Sequence, residues 1–283
     1  MGRKLVSFDW AMKKILRQKA NFGILEGFLS ELLKFDVKIE EILESEANQE
    51  TEDDKFNRVD LLAKNEQNEL ILIEVQHRSE IDYFHRMLYG SSKLITEYIT
   101  KSDRGYSKIK KVYSVNIVYF ALGQGEDYIY YGKTDFRGLH KTNNILEPSE
   151  RQKKDFSINS IYEIYPEYYI LRVNNFNDIA KSSLDEWIYF LKNEEIEDRF
   201  KAKGLDKAKE ALDIIKLGEK DRAVYKRREE NRMYKDSLVY TAKLDGQREA
   251  TIAIAKNLLN LNMDINVISS TTGLGIEEIK GLG

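Results

Sequence analysis

Asp60, Glu74 and Gln76 are the residues of this chain whose types and spacing could do chemistry. They lie in two apolar runs, Phe56-Asn57-Arg58-Val59-Asp60-Leu61-Leu62-Ala63 and Glu69-Leu70-Ile71-Leu72-Ile73-Glu74-Val75-Gln76, joined by Lys64-Asn65-Glu66-Gln67-Asn68. Two such runs separated by a polar turn predict a β-hairpin. Side chains alternate along a strand, so Glu74 and Gln76 share a face with Leu70 and Leu72, and Ile71, Ile73 and Val75 share the other. A carboxylate on an apolar strand is costly to desolvate unless something compensates it. A divalent cation does so, with Asp60 on the partner strand as a second oxygen ligand, and this pattern points to metal-assisted phosphodiester chemistry. The competing reading is a solvated hairpin face on which Asp60 and Glu74 pair with Arg58 or Lys64. Leu70 and Leu72 weigh against it, because they make the Glu74 face apolar.

The surrounding elements must hold that hairpin. Helical periodicity marks residues 9–19 and 22–34, the second with Phe22, Leu25, Phe28, Leu29, Leu32 and Leu33 as its apolar stripe. Val37–Glu46 alternates loosely and is expected to be a first strand. After the hairpin come a long helix over 82–100 and a buried strand over Val112–Leu122. Further strands are predicted at Asp127–Thr134 and Ile161–Val173. This order gives an α/β fold, a mixed sheet with helices packed on it. Residues 176–283 read as helical almost throughout, so the expected division is 1–175 and 176–283. Within the latter, 219–236 is densely charged and reads as a solvated helix or loose coiled coil. The end of the chain, from Ile252 through Asn262, Asp264, Ile268, Thr272-Gly273-Leu274-Gly275 and Ile279, has the spacing of a helix-turn-helix. Its last helix offers Glu277, Glu278 and only Lys280, so a packing or oligomerisation bundle is expected rather than DNA readout.

Composition bounds the function. Of 283 residues, 42% are hydrophobic, including 17 Tyr and 12 Phe, which fits a folded core. Cysteine is absent, which excludes disulfides, zinc–thiolate sites and a cysteine nucleophile. The three His residues, His77, His85 and His140, are scattered. With no apolar run of membrane-spanning length and no signal-peptide core at the N-terminus, a soluble cytoplasmic protein is expected. A net charge of −3 argues against nonspecific coating of nucleic acid and places any phosphate binding in local patches. The basic cluster Lys101, Arg104, Lys108, Lys110 and Lys111 follows the helix flanking the hairpin. Lys110 and Lys111 are therefore candidate DNA contacts.

Several segments together resemble the recombination-promoting nuclease and transposase family of the PD-(D/E)XK nuclease superfamily. They are Phe8-Asp9-Trp10-Ala11-Met12-Lys13-Lys14-Ile15-Leu16, Phe28-Leu29-Ser30-Glu31-Leu32-Leu33, Val59-Asp60-Leu61-Leu62-Ala63 and Ile71-Leu72-Ile73-Glu74-Val75-Gln76. Phe84-His85-Arg86-Met87-Leu88-Tyr89, Ala255-Lys256-Asn257-Leu258-Leu259 and Thr272-Gly273-Leu274 complete the set. The resemblance spans nearly the whole chain, with Met12 where the family usually has Phe.

The resemblance implies an αβββαβ restriction-endonuclease-like core, DNA phosphodiester hydrolysis and a role in mobile elements or recombination. By position Asp60 is the motif aspartate and Glu74 the motif acid. Gln76 stands where the superfamily usually has Lys, although the family commonly shows Gln. Such a site would hold Mg²⁺, with Mn²⁺ as an alternative, through Asp60, Glu74 and the Val75 carbonyl, while Gln76 orients water. Glu26, on the helix before the sheet, is a candidate further acid. Arg86 and Tyr89, three apart on one helix, project from one side and are candidates for binding phosphate or bracing Glu74 and Gln76. The absence of the motif Lys feeds a second reading, a nuclease fold that binds DNA or a partner without cutting. A third is an interaction protein that assembles through 219–236. Double-strand cleavage would call for a homodimer, expected through the C-terminal helices.

Overall fold

A computed structural model of the chain describes residues 5–43, 61–98, 106 and 109–282. Asp60, the residues before it in the hairpin, and Lys101, Arg104 and Lys108 lie outside the described residues.

The chain forms two compact units, one ending at Leu217 and the other beginning at Gly218. The first is built on a six-stranded sheet of order β1-β2-β3-β4-β6-β5. β1 (Ile39–Leu43), β2 (Leu61–Asn65) and β3 (Leu70–Gln76) are successively antiparallel. The predicted hairpin is present, with Leu61 opposite Ile73 and Lys64 opposite Leu70. β2 runs on through Lys64 and Asn65 and tightens the turn. Asn68 takes a left-handed φ of 67°, and the Asn65 side chain clasps Glu69 by accepting from its N–H at 2.8 Å.

From β3 the chain crosses through α3 (Tyr83–Glu97) to β4 (Val112–Val118), which lies parallel to β3. β6 (Glu167–Arg172) is parallel to β4, and β5 (Ile129–Gly132) borders β6 antiparallel. The strand expected over 161–173 begins only at Glu167, because a Ser160/Glu163 capping box winds Ile161–Glu163 into a 3₁₀ turn. A second capping box, Ser149/Gln152, starts α4 (Glu150–Phe156), a helix the sequence reading did not anticipate.

One sheet face packs on α3. Leu62, Leu70, Leu72 and Val112 meet Leu94, and Val118 meets Tyr83 and Met87. The opposite face carries the odd-numbered residues of β3. There His77, of the same parity, reaches Asp9 of α1 (Phe8–Lys14), with Nε2 3.7 Å from Oδ2. α2 (Phe22–Leu33) and α5 (Ser183–Asn193) join α1 through an aromatic cluster. Phe28 lies 5.4 Å from Phe8 and 5.5 Å from Trp187, centroid to centroid. α2 also approaches the start of α6 (Leu205–Ala211) so closely that a Cβ on Gly27 would lie 2.1 Å from the Lys203 carbonyl oxygen. That carbonyl accepts from Trp187 Nε1. The expected division at 175/176 therefore falls inside the first unit, since α5 and α6 complete its helical layer.

The second unit consists of α7 (Glu219–Asn260), α8 (Ile265–Thr272) and α9 (Ile276–Lys280). Ala255, Ile268, Leu274 and Ile279 form its core, with Asp264 capping α8 and Gly273 at φ 73° ending it. This is the helix, short helix, Thr-Gly-Leu turn and helix expected from the spacing. Among the described residues no helix is long and apolar enough to cross a membrane.

Candidate active site

Glu74 lies two residues from the end of β3, on the α3 face, with Asn116 of β4 as its Cα partner. Its side chain is only 7% exposed. Apolar β3 residues buried on both faces hold this part of the strand between β2 and β4, so the carboxylate is carried into the layer between sheet and helix. Gly90 of α3 faces it, where a Cβ would stand in ordinary van der Waals contact, 3.8 Å from Glu74 Oε1 and 3.6 Å from Leu72.

The facing helix supplies the compensating charge. Arg86 places Nε 3.6 Å from Glu74 Oε2 and donates through one terminal nitrogen to both oxygens of Glu80, at 2.9 and 3.1 Å. Burial works against the guanidinium charge, but Glu74 and Glu80 outweigh it and hold the Arg86 pKa above its ordinary value. Glu80, in the loop between β3 and α3, also accepts a hydrogen bond from Gln76 Nε2. Among the described residues this cluster joins two carboxylates and one guanidinium. Beneath it, Asn116 accepts from the Tyr83 hydroxyl at 3.3 Å and donates to Ser114 Oγ at 3.0 Å. The wall on the β4 side of Glu74 is thus polar although buried.

Backbone direction completes the donor set. Leu70 N–H donates to the Lys111 carbonyl and Tyr119 N–H to the Gln76 carbonyl. Even-numbered residues of β3 thus turn their backbone groups toward β4, and the odd-numbered Val75 turns its carbonyl toward the β2 side. A carboxylate and a carbonyl are hard oxygen donors of the kind Mg²⁺ takes, with few protein ligands and an open remainder. Among the described residues no three His, Asp or Glu side chains cluster to hold a metal. The Glu74 carboxylate and the Val75 carbonyl are donors of the kind such an ion takes.

Not every candidate is brought here. Glu26 accepts from Ile39 N–H at 3.0 Å and pairs with Lys38 at 3.5 Å, which anchors α2 to the start of β1. Ile39 is opposite Asn65 at the turn end of the hairpin, about 16 Å along the strands from Glu74. Lys110 and Lys111 also sit at that end, about 20 Å from Gln76. Lys110 donates to Asn68 of the turn. Lys111 is buried against Glu167 at 2.7 Å and donates to the Tyr162 and Tyr165 carbonyls. Tyr89 is 52% exposed, one helical turn beyond Arg86. Glu80 and Asn116 escaped the sequence reading. Asn116 and Ser114 carried a faint signal as polar residues inside a strand that is otherwise β-branched and aromatic. Glu80 carried none, because it lies in an aperiodic polar stretch.

An antiparallel β1–β2–β3 unit, a helical crossover and a parallel β4, with an acid near the end of β3 facing the crossover helix, define a PD-(D/E)XK nuclease-like fold. The family described as PD-(D/E)XK nuclease family transposase matches residues 6–242, and the chain belongs to it. The chain matches no curated protein and no solved structure.

Proposed function

We propose that this chain is a metal-dependent DNA endonuclease acting in recombination or transposition. The observation that carries the reading is the buried Glu74 near the end of β3, with Gln76 next on the same face. Glu74, the Val75 carbonyl and Asp60 are the donors that would hold a Mg²⁺ or Mn²⁺ ion. Asp60 enters as the motif aspartate that the resemblance implies and lies outside the described residues. A divalent cation held by these donors would supply a nucleophilic water at neutral pH and offset charge on the scissile phosphate.

The remaining work belongs to this chain's own groups. The Gln76 carbonyl oxygen accepts a hydrogen bond from the attacking water and so aims it. An amide contributes orientation without charge, so transition-state charge falls to other groups. Arg86 places its guanidinium beside Glu74, and Tyr89 offers an aromatic face to the nucleic acid beside the site. Double-strand cleavage needs two such sites. We assign the pairing of two copies to the second unit, whose α7 exposes Met233, Tyr234, Leu238 and Leu244.

The test is cleavage of supercoiled, single-stranded and cruciform DNA with Mg²⁺ or Mn²⁺, comparing wild type with Asp60→Ala and Glu74→Ala. Cleavage by wild type that is absent with EDTA and in both variants supports the reading. Cleavage that survives both substitutions sinks it. A second reading, a nuclease fold that binds DNA or a partner without cutting, is favoured by one observation: an amide at position 76 whose NH₂ end is engaged by Glu80. DNA binding without cleavage, indifferent to metal and to Asp60→Ala, selects it.

A further inference from the structure

Glu80 belongs to no segment of the family resemblance, yet it closes a ring of side chains around the site. The ring runs from Gln76 to Glu80, from Glu80 to Arg86 and from Arg86 to Glu74, starting and ending on one face of β3. A carboxylate only accepts hydrogen bonds, so Gln76 must turn its NH₂ group to Glu80 and its carbonyl oxygen away. The carbonyl is the end of the amide that can accept from a water. The same carboxylate takes both hydrogen bonds of the Arg86 terminal nitrogen, while Arg86 Nε stands 3.6 Å from Glu74, beyond hydrogen-bonding distance. Without Glu80 the guanidinium is free to close on Glu74 as a fork and neutralise it.

We propose that Glu80 is a positioning residue of this site. It sets the orientation of the Gln76 amide, and it holds the Arg86 terminal nitrogen, which keeps the guanidinium from closing on Glu74 as a fork in competition with a divalent cation. The inference rests on the nuclease reading of the site. Glu80 does both tasks from a loop because α3 starts three residues later, which brings Arg86 back over β3.

Two measurements separate these roles from a merely structural one. The first is Mn²⁺ binding by calorimetry without DNA, in wild type, Glu80→Ala, and Glu80→Ala combined with Arg86→Met. Glu80→Ala is expected to weaken Mn²⁺ by about tenfold or more, and the added Arg86→Met to restore most of that loss by removing the competitor for Glu74. The second is kcat and KM for DNA at saturating Mn²⁺. Glu80→Ala is expected to lower kcat with KM little changed. Adding Arg86→Met should not recover kcat, because Gln76 stays unoriented, whereas Glu80→Asp should recover part of it. A wild type that binds Mn²⁺ and cleaves DNA, with Glu80→Ala indistinguishable from it, overturns the inference alone. A folded wild type that neither binds Mn²⁺ nor cleaves any DNA form overturns the nuclease reading beneath it. Loss in Glu80→Ala that Arg86→Met deepens instead of relieving rejects the competition between Arg86 and the cation.

Discussion

Arg86 reaches Glu74 from the crossover helix, with Nε 3.6 Å from Oε2, and joins the acid of one strand to the loop that follows that strand. The acid is buried because its strand carries apolar residues on both faces, and a neighbouring helix returns over it with a cation. Removing that cation leaves the carboxylate in a poorly solvated layer. Arg86→Met is expected to cost about 2–3 kcal/mol of folding stability, below the usual range for a fully buried pair because Arg86 is partly exposed. Urea denaturation measures the loss, and saturating Mg²⁺ should recover more stability in the variant than in wild type.

Lys111 makes the opposite kind of pair, remote from the chemistry. Its ammonium and Glu167 are each 8% exposed and 2.7 Å apart, and Glu167 also accepts from the Tyr131 hydroxyl at 2.8 Å. Lys111→Met is expected to destabilise by about 3 kcal/mol, since an uncompensated carboxylate stays buried. The salt dependence of DNA binding should keep its slope. A phosphate contact at this position would instead reduce that slope by about 0.9.

The tyrosines around Glu167 set an alkaline limit. Burial and the nearby carboxylates push the hydroxyls of Tyr113, Tyr131 and Tyr169 above their ordinary value of 10.0. A group whose folded pKa is raised contributes stability that is complete below its unfolded pKa and is lost as pH rises above it. Burial lowers the Lys111 pKa from 10.5, a smaller effect of opposite slope over the pH just below that value. Stability should therefore fall as pH climbs past about 10. Tyr131→Phe and Tyr113→Phe should each flatten that fall in denaturation curves taken between about pH 8 and 11.5.

Two glycines in helices should respond in opposite senses. Gly27→Ala drives a methyl into the Lys203 carbonyl, where neither backbone can yield cheaply, and should cost about 1–3 kcal/mol or more. Gly246 of α7 has nothing within 4 Å of its Cβ position, so Gly246→Ala should stabilise that helix by up to about 1 kcal/mol. Denaturant titration followed by far-UV circular dichroism reads both.

What depends on local pattern was legible in the amino-acid order. The apolar run Leu70–Gln76 marked a strand, which puts Glu74 and Gln76 on one face, and the faces found are those, because a pleat admits no other assignment once the strand exists. The 3.6-residue stripe of α2 and the helix-turn-helix spacing from Ile252 to Ile279 were equally readable, since each is decided within a few turns of chain. The family was recognisable because its segments keep their order and spacing.

Tertiary structure alone decided which polar groups meet. Glu80 is engaged with Gln76 and Arg86 because the loop folds back before α3 begins, and no periodicity encodes a loop's path. Glu26 and Lys111 had the right chemistry for a site, but the register of β1 and β4 carried them to the far end of the sheet, where each binds a structural partner. The unit boundary fell at Leu217 rather than near residue 175 because Trp187 and Gly204 pack against α2, more than 150 residues earlier in the chain. A sequence states what each residue can do. Long-range packing, which depends on every element at once, selects the neighbours with which it does it.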